Sequence, residues 1–331
     1  MTSAPTLRLV GTPDNPIPAG GRVMRIAAED RTKLRAAVWA PAGAARGTVA
    51  LLGGRGEFIE KYFETIGELL ARGFAVATVD WRGQGGSERA LRDPRKGHVD
   101  DFSLYGRDLQ ALETQVLTPF CPRPWYGLAH SMGAAILLAE AHAGNSPFER
   151  LFLTSPMIDI YGIRYPRGAR SLALVLDTLG LGGRYAPGGG SRGVEAMDED
   201  GNVLTSDSAR FRRLISLANA APDLTVGWPT VGWIHSAFRL MRRFTDPKFP
   251  REIMTPCLLV VSGDDRVTDT RAAERFGERL RAGRVLVING AQHELLMERD
   301  HFREQCWRAF DAFMPGADLA LPPVPQAVAA L

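Results

Sequence analysis

The sequence predicts an α/β domain: a mostly parallel sheet flanked by helices, with a helical segment inserted late in the chain. Three observations carry this expectation. Short continuous apolar runs at 48–52, 74–79, 125–129 and 151–154 alternate with stretches of helical periodicity, the rhythm of buried parallel strands joined by crossover helices. That rhythm stops near Pro156 and resumes at Cys257. A serine with small residues two positions to either side, Ala129-His130-Ser131-Met132-Gly133, stands where a predicted strand gives way to a predicted helix.

In chain order, residues 1–20 are rich in Pro and Gly and are expected to be irregular. Residues 22–29 and 34–40 read as two short strands joined by a polar turn. The strand 48–52 leads into a glycine-rich loop, Gly53-Gly54-Arg55-Gly56-Glu57-Phe58. Ile59, Phe63, Ile66 and Leu70 share one helical face, and Gly73 closes that helix. The strand 74–79 runs into the turn DWRGQGGS. Tyr105, Leu109, Leu112 and Val116 mark a helix, 125–129 a strand, 131–143 a helix and 151–154 a strand. Residues 156–249 carry helical patterns, a glycine run at 188–190 and no convincing strand, as expected of an inserted helical cap. The alternation then returns with a strand at 257–261, a helix over 271–280, a strand at 285–288 and a last helix, in which Phe302, Cys306, Phe310 and Phe313 share a face. The expected organisation is a core of 21–155 and 250–314, a cap of 156–249, and irregular tails at 1–20 and 315–331.

Composition narrows the function. With 331 residues, 45% hydrophobic and 23% charged, the chain is long enough to bury a large core without disulfides or metals. A net charge of +3 gives no general affinity for nucleic acid. Cys121, Cys257 and Cys306 are widely spaced and show no metal-binding pattern. No signal peptide or spanning apolar run is visible, so a cytoplasmic protein is expected, with transient contact at the membrane surface left open. No metal or organic cofactor is implied, and nothing speaks to the oligomeric state.

The motif around Ser131 has the form of a nucleophile elbow. So sharp a strand-to-helix turn strains the serine backbone and leaves room only for small residues at 129 and 133. The hydroxyl is pushed out above the sheet, against a helix N-terminus that favours developing negative charge. A serine there would also serve as an N-cap, so the reading needs partners. A serine hydroxyl needs a base within reach. Of six histidines, His293 lies just after the last predicted strand, on the sheet edge that carries Ser131. His98, His142, His235 and His301 fall in loops, helices or the cap, where packed or solvated imidazoles are ordinary. The third group must orient the imidazole. The segment SGDDRVTD after the strand 257–261 offers Asp264, Asp265 and Asp269, and spacing alone does not choose among them. The oxyanion donors follow from position: the backbone N–H of Met132, and that of Arg55 in the glycine-rich loop. That loop is not a phosphate loop, since no Gly-Lys-Ser/Thr follows it. Gly83-Gln84-Gly85-Gly86-Ser87 reads as a structural turn.

Over residues 20–315 the sequence resembles the bacterial lysophospholipases related to monoacylglycerol lipases, within the α/β-hydrolase superfamily. The resemblance rests on LLGGRGEFIEKY, VDWRGQGGSERALRDPRKGHVDDF, LAHSMGAAI, TVGWPTVGW, SGDDRVTD and GAQHELLMERD taken together. It implies Ser131 as nucleophile, Asp265 as acid, His293 as base, and Arg55 and Met132 as oxyanion donors. The loop departs from the monoacylglycerol lipase form HGxGEH, reading GGRGEF instead.

In the cap, Leu172, Val175, Leu176 and Leu179 fall at helical spacing, and Trp228 and Trp233 flank Pro229. Packing of these residues within the cap is the plainer expectation; contact of Leu176, Trp228 and Trp233 with an acyl chain, or of the segment with a lipid surface, is the functional one. The expected reaction is hydrolysis of a monoacyl lipid ester through an acyl-serine. The alternatives are a peptidase or small-ester carboxylesterase with the same triad, and a non-catalytic binding protein on the same scaffold. The acidic run Glu195, Asp198, Glu199, Asp200 could serve an amine-recognising peptidase, but a solvated loop accounts for it more simply.

Overall fold

The computed structural model describes residues 7–163 and 165–315. Its eight strands are β1 (Arg22–Ala27), β2 (Lys33–Trp39), β3 (Thr48–Leu52), β4 (Ala75–Val79), β5 (Trp125–His130), β6 (Arg150–Thr154), β7 (Cys257–Ser262) and β8 (Gly283–Ile288). They form one sheet in the order β1-β2-β4-β3-β5-β6-β7-β8. β1 and β2 pair antiparallel, β2 joins β4 antiparallel, and every later pairing is parallel.

The helices are α1 (Phe63–Ala71), α2 (Ser103–Leu112), α3 (Thr118–Phe120), α4 (Met132–His142), α5 (Pro166–Leu176), α6 (Ser208–Ala220), α7 (Val231–Phe244), α8 (Phe249–Glu252), α9 (Thr270–Gly277) and α10 (Asp300–Phe313). Between β6 and β7 the described chain runs through α5 to α8 and adds no strand to the sheet. Residues 7–20 hold only an isolated bridge between Thr12 and Asn15. Most of the expected C-terminal tail, 316–331, lies outside the described residues, as do residues 1–6.

Alternate residues of the central strands serve opposite faces, as the strand period of two requires. Ala50 and Leu52 pack with α2, α4 and α7. Val49 and Leu51 pack with Ile66 and Leu69 of α1 and with Phe310 of α10. β3, β4 and all of β5 are buried end to end, which is why they read as unbroken apolar runs. Helix α4 is buried from Met132 through Leu138, wedged behind the sheet centre with no polar face in its first half. Because β3 and β5 to β8 run parallel, the loops that leave their carboxyl ends gather at one edge.

Candidate active site

Ser131 stands at that edge, immediately after β5, with φ +51° and ψ −113°. This is the left-handed half of backbone space, uncommon for a residue with a side chain and characteristic of strained functional turns. The turn is held by its neighbours. A Cβ on Gly133 would come within 2.6 Å of the Gly53 carbonyl and 2.7 Å of the Leu52 carbonyl, so only glycine fits where α4 crosses the end of β3. Ala129 is fully buried in the same packing.

The other groups arrive from neighbouring strand ends. His293 Nε2 lies 3.1 Å from Ser131 Oγ, and His293 Nδ1 lies 2.7 Å from Asp265 Oδ2. With Nδ1–H donating to the carboxylate, Nε2 is left to accept the serine proton. Asp265 also accepts from the Val267 and Thr268 amides at 2.7 and 2.8 Å and from the Thr268 hydroxyl at 2.8 Å. Burial pushes its carboxyl up, but the His293 bond and these donors outweigh burial and hold it below its ordinary value. The three carboxylates that spacing left open separate cleanly. Asp269 caps α9 through the Ala272 amide, and Asp264 lies exposed beside Arg266.

Met132 follows Ser131 as the first residue of α4, and Arg55 lies in the loop after β3. A Cβ on Gly54 would sit 3.1 Å from Ser131 Cβ, so the loop after β3 lies against the serine. Neither the Arg55 nor the Met132 backbone N–H is engaged by another described residue, which leaves both available to an incoming oxyanion. The loop is braced from behind. Gln84 donates to the Gly54 and Glu57 carbonyls at 2.7 and 3.0 Å and accepts from the Gly56 amide at 3.0 Å. The stretch 83–87 is thus a structural turn that also supports the loop.

Behind Ser131 lies a buried charged cluster that the sequence did not announce. Lys61 Nζ is 2.7 Å from both Glu57 Oε1 and Glu294 Oε1. The Glu57 carboxylate also accepts from the Gly54 amide and the Tyr62 hydroxyl. His130, turned away from the cavity by the elbow, places Nε2 3.3 Å from Glu294 Oε2, and its ring is 4.7 Å from that of His293. Burial pushes Glu294 up, but Lys61 and His130 together hold it well below the carboxylate range. Glu57, His130 and Glu294 converge as metal ligands might, yet the Lys61 ammonium already fills the cationic position between the two carboxylates. The backbone of His293 is fixed too: Ser155 donates to its carbonyl at 2.7 Å.

A cavity of about 440 Å³ opens over Ser131 and His293. Its walls are mostly apolar, with Phe58, Met157, Leu214, Val226, Trp228 and Trp233 among them. Trp233 is buried and Trp228 is 54% exposed. Leu176 does not line it, which corrects its assignment as a substrate contact. Helix α5 lies on α7 with Ala173 as its buried residue; Leu176, almost one turn on, is half-buried beside that contact and away from the cavity. The expectation that these residues pack within the segment also fails: Leu172 and Val175 of α5, and Leu179 in the turn after it, are 51, 51 and 68% exposed. A larger, polar groove of about 710 Å³ between α2, α4 and α7 holds none of these candidate residues.

Residues 43–300 match the family model described as serine aminopeptidase, S33. The chain is 35% identical over 276 residues to lysophospholipase L2 of Escherichia coli K12, covering 80% of this chain and 79% of that one. It is 28% identical to the probable lysophospholipase L2 of Haemophilus influenzae, covering 83% and 85%. Among solved structures it is similar to a soluble variant of monoglyceride lipase from Saccharomyces cerevisiae, with a TM-score of 0.68 at 18% identity over 88% and 95% of the two chains.

Proposed function

The chain belongs to the serine aminopeptidase S33 family of α/β-hydrolases, in its lysophospholipase and monoacylglycerol lipase group, and from that premise we propose that it hydrolyses the carboxylic ester of a monoacyl lipid through an acyl-Ser131 intermediate. At the coarser level it is a serine ester hydrolase of lipid substrates. The observation that carries the finer reading is the Ser131–His293–Asp265 relay opening into a largely apolar cavity.

In the proposed reaction Ser131 Oγ attacks the ester carbonyl while His293 Nε2 takes its proton. Asp265, ionised and fixed by three donors besides His293, stabilises the imidazolium. The carbonyl oxygen becomes an oxyanion between the Arg55 and Met132 amides. Collapse expels the alcohol, which takes the proton from His293. Water then attacks the acyl-serine, with His293 again as base, and the fatty acid leaves. The segment 156–249 acts in this reading as a cap, with Trp228 and Trp233 beside the acyl chain. The exposed α5 face is proposed to meet the lipid surface from which substrate is drawn.

The family description raises the peptidase alternative, in which a free carboxylate would recognise a substrate amine. The carboxylates lining the cavity, Glu57 and Glu294, are both held by Lys61, and Glu195 is paired with Arg95 outside it. The test is a panel of lysophosphatidylcholine, monoacylglycerol, a short p-nitrophenyl ester and an aminoacyl amide, run with wild type and Ser131→Ala. Loss of roughly 10⁴-fold or more of long-chain ester turnover in the variant is expected. Full activity in Ser131→Ala, or turnover of the amide alone, would overturn the reading. Failure of wild type to react with a fluorophosphonate would favour a non-catalytic scaffold.

A further inference from the structure

The side chain of Arg55 has no part in the chemistry above, which uses only its backbone amide. It lines the cavity with Ser131 and His293, and no carboxylate among the described residues pairs with its charge. One terminal nitrogen, Nη2, donates to the Gly227 carbonyl at 2.9 Å. The guanidinium carbon lies 5.1 Å from the centre of a Trp233 ring. Nε is buried with no hydrogen-bond partner, and no carboxylate among the described residues forms an ion pair with the group. Burial pulls its pKa down to about 10, a sign of how little compensates it, though it stays cationic at neutral pH.

Two other cations contrast with it. Lys61, also lining the cavity, is clamped between two carboxylates. Arg89 is similarly desolvated, but its donors are shared among the carbonyls of Ser87, Pro94 and Asp223. Arg55 has a single carbonyl and an aromatic ring. Arg55 is half-buried, with Nε itself out of solvent, and a cation in that state gains from a ligand that supplies the counter-charge. A guanidinium matches the oxygens of a phosphate ester with paired N–H donors. Arg55 and Ser131 line one cavity, and the Arg55 side chain reaches Gly227 and Trp233 of its 156–249 wall, so the guanidinium shares that cavity with the scissile ester. A phosphate carried on the far carbon of the departing glycerol would fall within that reach.

We propose that the Arg55 side chain is a specificity-determining group that binds the phosphate of a lysophospholipid head group and thereby selects it over an uncharged monoacylglycerol. This rests on the lipid-ester reading above and assigns the head group that the reading leaves open. A hydroxyl in place of the phosphate leaves the cation unpaired, and the difference between the two substrates is the discrimination.

The experiment compares kcat/KM for lysophosphatidylglycerol and monoacylglycerol of the same acyl chain in wild type, Arg55→Met and Arg55→Lys. Substitution can disturb the loop, but such damage affects both substrates alike, so the readout is their ratio. The ratio of lysophospholipid to monoacylglycerol is expected to fall about tenfold or more in Arg55→Met, chiefly through KM, and to recover in part in Arg55→Lys. A ratio unchanged within about twofold overturns the proposal even if both activities drop. Wild-type turnover of monoacylglycerol alone overturns it while leaving the lipid-ester reading intact. Turnover of neither lipid removes that reading, and the anion site is then decided without lipid, by fluorophosphonate labelling of Ser131. Glycerol 3-phosphate should slow labelling of wild type and not of Arg55→Met at matched ionic strength; no protection of wild type, or protection that persists in Arg55→Met, overturns the proposal.

Discussion

The two walls of the cavity over Ser131 are built on opposite principles. Apart from Arg55, the sheet side is a dense set of paired charges: Asp265 with His293, Glu57 and Glu294 with Lys61, His130 against Glu294. The side formed by 156–249 contributes mostly apolar atoms, and its outer helix α5 with the turn after it leaves Leu172, Val175 and Leu179 to solvent. Proton transfer and oxyanion binding need groups held within narrow geometric limits, and low-dielectric ion networks hold them. A wall that admits a flexible chain needs area rather than direction. The difference teaches where rigidity is spent, and it makes the two sides separable by mutation.

The largest expected effect lies on the sheet side. Burial lowers the Lys61 pKa, but Glu294 and Glu57 outweigh burial and raise it, so the ammonium is fully charged. Lys61→Met leaves the two carboxylates buried face to face without their cation. A loss of about 3–5 kcal/mol in folding stability is expected from urea denaturation, as for other broken buried pairs. Trp228→Ala, on the opposite wall and half in solvent, should cost under about 1 kcal/mol. Comparable losses in the two variants would erase the distinction.

The next effect belongs to the other side and should appear in turnover, not stability. The triple variant Leu172→Ser, Val175→Ser, Leu179→Ser removes exposed apolar side chains of α5 and the turn after it while sparing Ala173, which seats the helix on α7. Turnover of a monoacyl lipid presented in vesicles is expected to fall roughly tenfold, and that of a soluble short-chain ester to stay within about twofold of wild type. Equal turnover of both substrates in variant and wild type would mean that α5 is merely an uncovered helix.

How much of this was legible in the sequence follows the same division. β3, β5 and β7 lie within a residue of their expected limits, because strands buried on both faces must be continuous apolar runs. Ser131 and His293 were legible because a strained elbow restricts its flanking residues and because parallel strands send their loops to one edge. Asp265 needed the family resemblance, since three aspartates share the loop and only the fold shows which one faces the imidazole. Glu57 and Lys61 are four residues apart, but nothing in the spacing links them to His130 and Glu294; three separate loops or strand ends bring the four together. Leu176 failed for another reason. Helical periodicity tells which residues share a face but not what covers it, and α5 turns much of its apolar face to solvent.

The smallest effect tests whether the sheet-side cluster behaves as one ionic unit. His130 Nδ1 lies 3.2 Å from Thr154 Oγ1, and Nε2 faces Glu294 and Glu57 at 3.3 and 3.6 Å, with Lys61 and the His293 ring close by. Burial lowers its pKa, but the two carboxylates outweigh burial and raise it overall. A raised folded-state pKa contributes stability that is fully present below the unfolded value of about 6.5 and is lost as pH rises through the folded value. The denaturation midpoint should therefore drift downward as pH rises from about 6.5 through the higher folded value. His130→Asn should remove that part of the slope whatever it does to the absolute midpoint, and the α5 triple variant should keep it. If His130→Asn retained the full slope, the cluster would titrate through some other group, and the sheet-side wall would no longer be the single neutralised unit that sets it apart from the wall above.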